Sequence, residues 1–155
     1  MVESRIPMFQ TQGEFGLMPT ASSVGRLEDY FVYVITETVD NSSTSDPIYI
    51  SIDASFDFRL ILLTGEVWSY SGGVPSAIQA NPLLLVNIQT ASGTLLSDNP
   101  CLWNSIVGTA QRPFYILGNL VAKANSQIQI TFTNQNASTD YWIMLHMHGV
   151  KQWRR

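Results

Sequence analysis

The sequence predicts an all-β protein: an antiparallel β-sandwich of jelly-roll type, preceded by an extended N-terminal arm. Three observations point there. Short runs rich in β-branched and aromatic residues recur along the chain, divided by Gly, Pro, Asn, Asp and Ser. Several of them alternate apolar and polar residues with a period of two, as in Ile48-Tyr49-Ile50-Ser51-Ile52 and Ile128-Gln-Ile-Thr-Phe-Thr133. No segment carries a convincing amphipathic helical stripe. Eight to ten short strands at regular spacing fit a sandwich or barrel.

The elements follow in chain order. Residues 1–25 read as the arm, because Pro7, Gly13, Gly16, Pro19 and Gly25 break any regular run. A freely solvated tail seldom carries Phe9, Phe15 and Leu17, so the arm is expected to dock on its own domain or on a neighbouring subunit. Residues 26–155 form the sandwich domain. Leu27, Tyr30, Phe31 and Val34 also fit helical spacing, but Val32, Val34, Ile35 and Thr36 favour a strand over Tyr30–Val39. A turn over Asn41–Pro47 leads to the Ile48–Ile52 strand. Phe58–Thr64 reads as a strand stopping at Gly65, and Val67–Tyr70 as a separate one. Gly72, Gly73 and Pro75 mark a loop. Leu83–Thr90 is a strand, and Gly93 to Pro100 a second loop. Pro113–Leu117, Leu120–Ala124, Ile128–Thr133 and Tyr141–His148 complete the set, with a polar turn at Asn134–Thr139.

Composition bounds the function. The 155 residues suit one domain that buries about 70% of its unfolded surface without staples. Charged residues are 13% of the chain, about half the usual share, so Ser, Thr, Asn, Gln or neighbouring molecules must cover its surface. The net charge of -4 disfavours nucleic acid as a partner. Residues 1–66 hold ten acids and three bases, and residues 67–155 two acids and five bases. Such asymmetry suits one copy docking beside another. A single cysteine, Cys101, forms no internal disulfide, which fits synthesis in a reducing cytoplasm. No run of 18 apolar residues argues for a membrane span, and the opening Met1 to Gln10 lacks the apolar core of a secretory signal.

Few residues suggest chemistry. His146 and His148 lie two apart in a strand, so both imidazoles share one face and could hold a metal. A cupin-type metal site usually adds a third His and a carboxylate, which this chain of two histidines does not supply. Asp53 and Asp57, four apart, read as turn-lining acids. Cys101 reads as a small buried hydrophobe. Trp68, Trp103, Trp142 and Trp153 are too scattered for a sugar-binding face. No nucleophile elbow, phosphate loop or dinucleotide fingerprint is present, so no catalytic residue and no cofactor is expected. The tail from Val150 to Arg155 carries three of the eight bases around Trp153.

Taken together, Gly108-Thr-Ala-Gln-Arg-Pro-Phe114, Val121–Asn125, Ile128–Asn134 and Leu145-His-Met-His-Gly149 with Lys151 resemble a group of small tailed-bacteriophage virion proteins. That group carries G-x-x-x-R-P-F, a strand pair, an aliphatic alternation ending in T-N, and a closing L-x-G-x-K, in which Met147 here fills the leucine's place. Ile50-Ser-Ile-Asp-Ala-Ser-Phe-Asp-Phe58 and Leu63-Thr-Gly65 extend the resemblance over residues 47–151. It implies a non-enzymatic capsid cement or decoration protein, made in the host cytoplasm and located in the virion. Its partners would be the major capsid protein and copies of itself, without membrane or nucleic acid. Phe9, Phe15, Leu17, Trp153, Arg154 and Arg155 are the candidate subunit contacts. The alternative reading is a cupin-like or lectin-like module binding a metal or a sugar.

Overall fold

The computed structural model describes residues 28–90 and 99–153. Ten strands and one helical turn occupy them. They are β1 (Glu28–Val39), β2 (Ile48–Ser51), β3 (Phe56–Ser71), β4 (Val74–Ile78), β5 (Leu84–Thr90), β6 (Cys101–Leu102), α1 (Trp103–Ile106), β7 (Phe114–Tyr115), β8 (Val121–Ala122), β9 (Gln127–Asn134) and β10 (Asp140–Trp153). The predicted arm, with Phe9, Phe15 and Leu17, lies outside the described residues, as do Arg154 and Arg155.

Two antiparallel sheets face each other. The larger runs β1-β10-β3-β4, with β7 and β8 also on β3; the smaller runs β2-β9-β5-β6. The pairing is nested. The first strand pairs with the last, β2 with β9, β3 with β7 and β8, and β5 with β6. This wrapping of a long antiparallel ribbon into two sheets is the jelly-roll arrangement expected from the spacing of the strands.

Period two sorts the side chains. On β10, Tyr141, Ile143, Leu145 and Met147 are each at most 1% exposed. On β9 and β5, Ile128, Ile130, Phe132, Leu84, Val86 and Ile88 face them across the core. The buried end of each sheet is tied to the other by Asn134. Its Nδ2 donates to the carbonyls of Val39 (3.2 Å) and Thr139 (2.8 Å), and its Oδ1 accepts from Asn136 N (2.9 Å). An amide buried this deeply needs such partners.

The structure corrects the reading of several elements. Phe58–Thr64 and Val67–Tyr70 are one sixteen-residue strand. Gly65 does not stop it, because the missing side chain makes room for Trp103: a Cβ there would sit 2.7 Å from the indole. The loop after Tyr70 is a hairpin. Gly72 and Gly73 take φ of 62° and 86°, as a tight two-residue turn requires, and β4 returns despite Pro75 because it is an edge strand. Beyond His148, Val150–Trp153 continue β10 rather than forming a tail. Phe114 packs against the core but stays only part-buried, and the Arg112 side chain is exposed.

The glycines of the recurring motifs are close-approach positions. Gly108 lies under the turn in which Thr109 and Arg112 exchange backbone hydrogen bonds, and a Cβ on it would lie 2.1 Å from the Arg112 carbonyl. Gly108 and Gly65 are bonded backbone to backbone (2.9 Å). At Gly149 the β10–β3 register shifts by a bulge, and a Cβ would meet the Arg59 carbonyl at 2.4 Å and the Phe58 ring at 2.5 Å. Each of these neighbours is backbone or a fully buried ring, so none can yield cheaply. Gly149→Ala is expected to lower stability by about 1–3 kcal/mol through overpacking, measured by chemical denaturation. A midpoint unchanged from the native chain would show that the bulge relaxes freely.

Candidate functional site

The same alternation that fills the core aims the other residues of the larger sheet outward, and more than half of those in its middle are aliphatic, aromatic or thioether side chains. Four cross-strand rows make the middle of this outer face, and a fifth, Tyr30–Val150–Arg59–Val121, borders them with Arg59 ion-paired to Glu28 at 4.0 Å. The four are Val32–His148–Leu62–Tyr115, Val34–His146–Thr64, Thr36–Met144–Glu66 and Thr38–Trp142–Trp68–Ile78. Of the side chains in those four, Glu66 alone carries a formal charge. Val34 is 59% exposed, Tyr115 59% and Ile78 57%. The outer face of the smaller sheet is different. Its rows read Ser51–Gln127, Tyr49–Gln129–Gln89, Thr131–Asn87 and Thr133–Leu85–Leu102, a largely amide and hydroxyl surface suited to water. Gln89 Nε2 donates to Gln129 Oε1 there at 3.0 Å.

A row of polar groups crosses the centre of the apolar face. Tyr30 on β1 bonds His148 Nδ1, His148 Nε2 meets Thr64 Oγ1 at 3.0 Å, and Thr64 Oγ1 lies 3.4 Å from His146 Nδ1. One arrangement of protons satisfies the whole row: the phenol donates to Nδ1, the Nε2 proton goes to Thr64, and the Thr64 hydroxyl donates to His146. In this arrangement the His148 imidazole is neutral. Desolvation, followed by the nearby charge of His146, holds His148 below the ordinary histidine value. Desolvation likewise raises Tyr30 above the ordinary phenol value. Trp68 Nε1, on the same face, is buried without a hydrogen-bond partner.

The other sequence candidates have structural surroundings. Trp153 lies edge-on to Phe56 (5.2 Å between centroids), and its indole N–H donates to Asp29 Oδ2 at 2.8 Å. Asp53 accepts from the Ser55 amide and hydroxyl (2.8 and 2.6 Å), bonds that hold it below the usual carboxylate range. Asp57 is buried; its Oδ1 accepts from Ala124 N (2.9 Å) and its Oδ2 faces Lys123 Nζ (3.4 Å), which clamps β3 to the chain after β8. Cys101 is part-buried beside the core, and its thiol faces the Asn99 carbonyl. Among the described residues no three of His, Cys, Asp and Glu converge as a metal site. A cavity between the sheets, bounded by Phe58, Ile88, Ile128 and Met147, measures about 10 Å³, room for one water molecule.

The outer face is not legible in the sequence alone. The alternation in Tyr141–His148 has apolar or aromatic residues on both parities, and only the pairing of β1, β10 and β3 adds the two faces into surfaces. No helix among the described residues is long and apolar enough to cross a membrane. No family model matches the chain, and no curated protein or solved structure matches it.

The histidine row sets a pH dependence. His148 binds a proton less readily in the folded chain than in the unfolded one, so its neutral form contributes stability that is complete above the ordinary histidine range, about pH 6.5. That contribution is lost as pH falls through the depressed folded value. The melting temperature of the native chain is therefore expected to fall between about pH 7.5 and about pH 5, and His148→Asn to fall less. Identical pH slopes for the two chains would rule out His148 as the titrating group.

Proposed function

We propose that this chain is a non-enzymatic virion structural protein of the capsid cement or decoration type, acting through the outer face of its larger sheet. The observation that carries the reading is that face: four rows in which ten aliphatic, aromatic, thioether or histidine side chains stand with three threonines and Glu66. Val34, Tyr115 and Ile78 are more than half exposed, and the Arg59–Glu28 pair lies at one end. Burying one such Val, Leu or aromatic side chain contributes about 1.5–3 kcal/mol, so a few residues suffice to hold a subunit on a shell. Depletion of charge with enrichment of Tyr, Trp and Met is the composition of an interface centre. The low charge of the whole chain agrees. Jelly rolls serve in viral capsids, lectins and cupins alike, so the fold is compatible with the reading without deciding it. The bacteriophage virion in particular rests on the resemblance carried by Gly108–Phe114 and Met147–Lys151.

The major capsid protein is the proposed partner, with further copies of the chain beside it. Tyr115→Asp and Ile78→Asp each place a charge on the face where no core packing is disturbed. Both variants are expected to keep the far-ultraviolet spectrum of a β protein and to disappear from purified particles of the phage that encodes the chain, as quantified by mass spectrometry. Native chain absent from those particles would overturn the virion reading. Stoichiometric metal in the native protein, lost in His146→Ala, would favour the metal-binding module instead.

A further inference from the structure

We infer that β1 is the seam of a two-fold dimer, pairing antiparallel with β1 of a second copy so that two larger sheets become one. The inference rests on the proposed function only in requiring that copies meet; it concerns the edge of the sheet, not its face.

The argument begins with the margins of the sheets. An exposed strand edge is a row of unpaired N–H and C=O groups, and proteins guard such edges with short strands, prolines, lysines or bulges. Among the described residues three of the four margins are guarded. On β3, the far margin is divided among β8, β7 and β4, and β4 carries Pro75 and a register shift. In the smaller sheet, β2 has four residues preceded by Pro47, and β6 has two. By contrast β1 has twelve residues, paired with β10 without a bulge. It contains no Pro, Gly, Lys or Arg; six of its residues are β-branched, three are aromatic, and Glu28, Asp29 and Glu37 are the charges any partner strand must meet. Its outer margin has no partner among the described residues.

Such an edge can extend a sheet by adding another strand. A two-fold axis normal to the sheet keeps both outer faces outward, so residues of like parity come opposite one another. Two registers keep eleven of the twelve β1 residues paired. Centred on Tyr33, the pairing sets Asp29 against Glu37 of the second copy, and symmetry repeats this like-charge clash. Centred on Val34, it sets Glu37 of the second copy against Phe31, whose ring carries the Lys151 ammonium at 3.5 Å from its centroid. Each Glu37 then faces the ring under Lys151, and Asp29, opposite Lys151 in its own sheet, moves from direct to diagonal placement relative to that Glu37. The second register also buries Val34, which is 59% exposed in the single copy, against its own symmetry mate. Charge therefore selects Val34 as the axis. The seam makes the apolar outer faces of the two copies continuous, with both Tyr30–His148–Thr64–His146 rows in one surface.

The experiment is a single-cysteine scan in the full chain carrying Cys101→Ser. Directly opposed residues of an antiparallel pair have Cα atoms roughly 4.5–5.5 Å apart, within the roughly 4.4–6.8 Å that a disulfide spans. Under mild oxidation Val34→Cys is expected to run as a covalent dimer on a denaturing gel. Thr36→Cys, exposed and on the same face, is the control for random collision, and it and Val32→Cys are each expected to stay monomeric alone. Co-expressed, Val32→Cys and Thr36→Cys are expected to cross-link with each other. Val34→Lys is expected to halve the sedimentation mass of the smallest species.

Cross-linking of Val32→Cys with Val34→Cys in place of that pattern would overturn the register. No cross-link at any position, with equal sedimentation mass for the native chain and Val34→Lys, would overturn the seam, as would a native chain that is monomeric because residues 1–27 of the same chain occupy the edge. A failed seam leaves the particle content of Tyr115→Asp and Ile78→Asp as it was, so the two readings fail separately.

Discussion

The pairing of β10 with β3 is the interaction on which the rest of the structure depends. Fourteen residues of β10 run against β3, and the same strand pairs with β1 along its other side. A strand held on both sides has no freedom to slip, because a one-residue shift would exchange its two faces. One face holds Tyr141, Ile143, Leu145 and Met147, all fully buried, and the other Trp142, Met144, His146 and His148. Register thus decides at a stroke which residues make the core and which make the outer surface. The bulge at His148/Gly149 is the one irregularity in this pairing, and it holds because Gly149 can lie against Phe58 and the Arg59 carbonyl.

Both outer faces follow from that register, and their difference carries the functional argument. The smaller sheet shows water Gln, Thr and Asn. The larger shows it Val, Tyr, Trp, Met, Thr and two histidines, with Glu66 and the Arg59–Glu28 pair as its charges. A chain with 13% charged residues must leave some surface without charge, but it need not gather the apolar part on one face. That gathering is what an assembling subunit requires. The histidines introduce a condition. The neutral form of His148 fits the Tyr30–Thr64 row, and burial of the face under a neighbour would disfavour its charged form further. Docking through this face would therefore oppose proton binding at His148.

The glycines of the resembling motifs serve packing. Gly65, Gly108 and Gly149 sit where backbone meets backbone or a buried ring, within one region around β3. Asp57, which spacing suggested as a turn residue, instead bonds the chain after β8 from a buried position. Identical residue types would suit chemistry elsewhere; here their neighbours are amides, carbonyls, aromatic carbons and, at Asp57, the Lys123 ammonium.

The sequence by itself determined the class of the fold. Period-two runs such as Ile128–Thr133 and the turn residues between them act over a few positions, so they are legible locally and they settle strands, sandwich and the poverty of charge. Strand continuity was not legible. Gly65 reads as a stop until Trp103, thirty-eight positions away, is seen filling its empty side, and Val150–Trp153 read as a tail until Phe56–Arg59 pair with them. The candidate site was hidden for the same reason. Val34, His146 and Thr64 form one row only after strands more than eighty residues apart in sequence are brought side by side. Local preference sets which residues extend, whereas long-range pairing and register set which face each one turns to water.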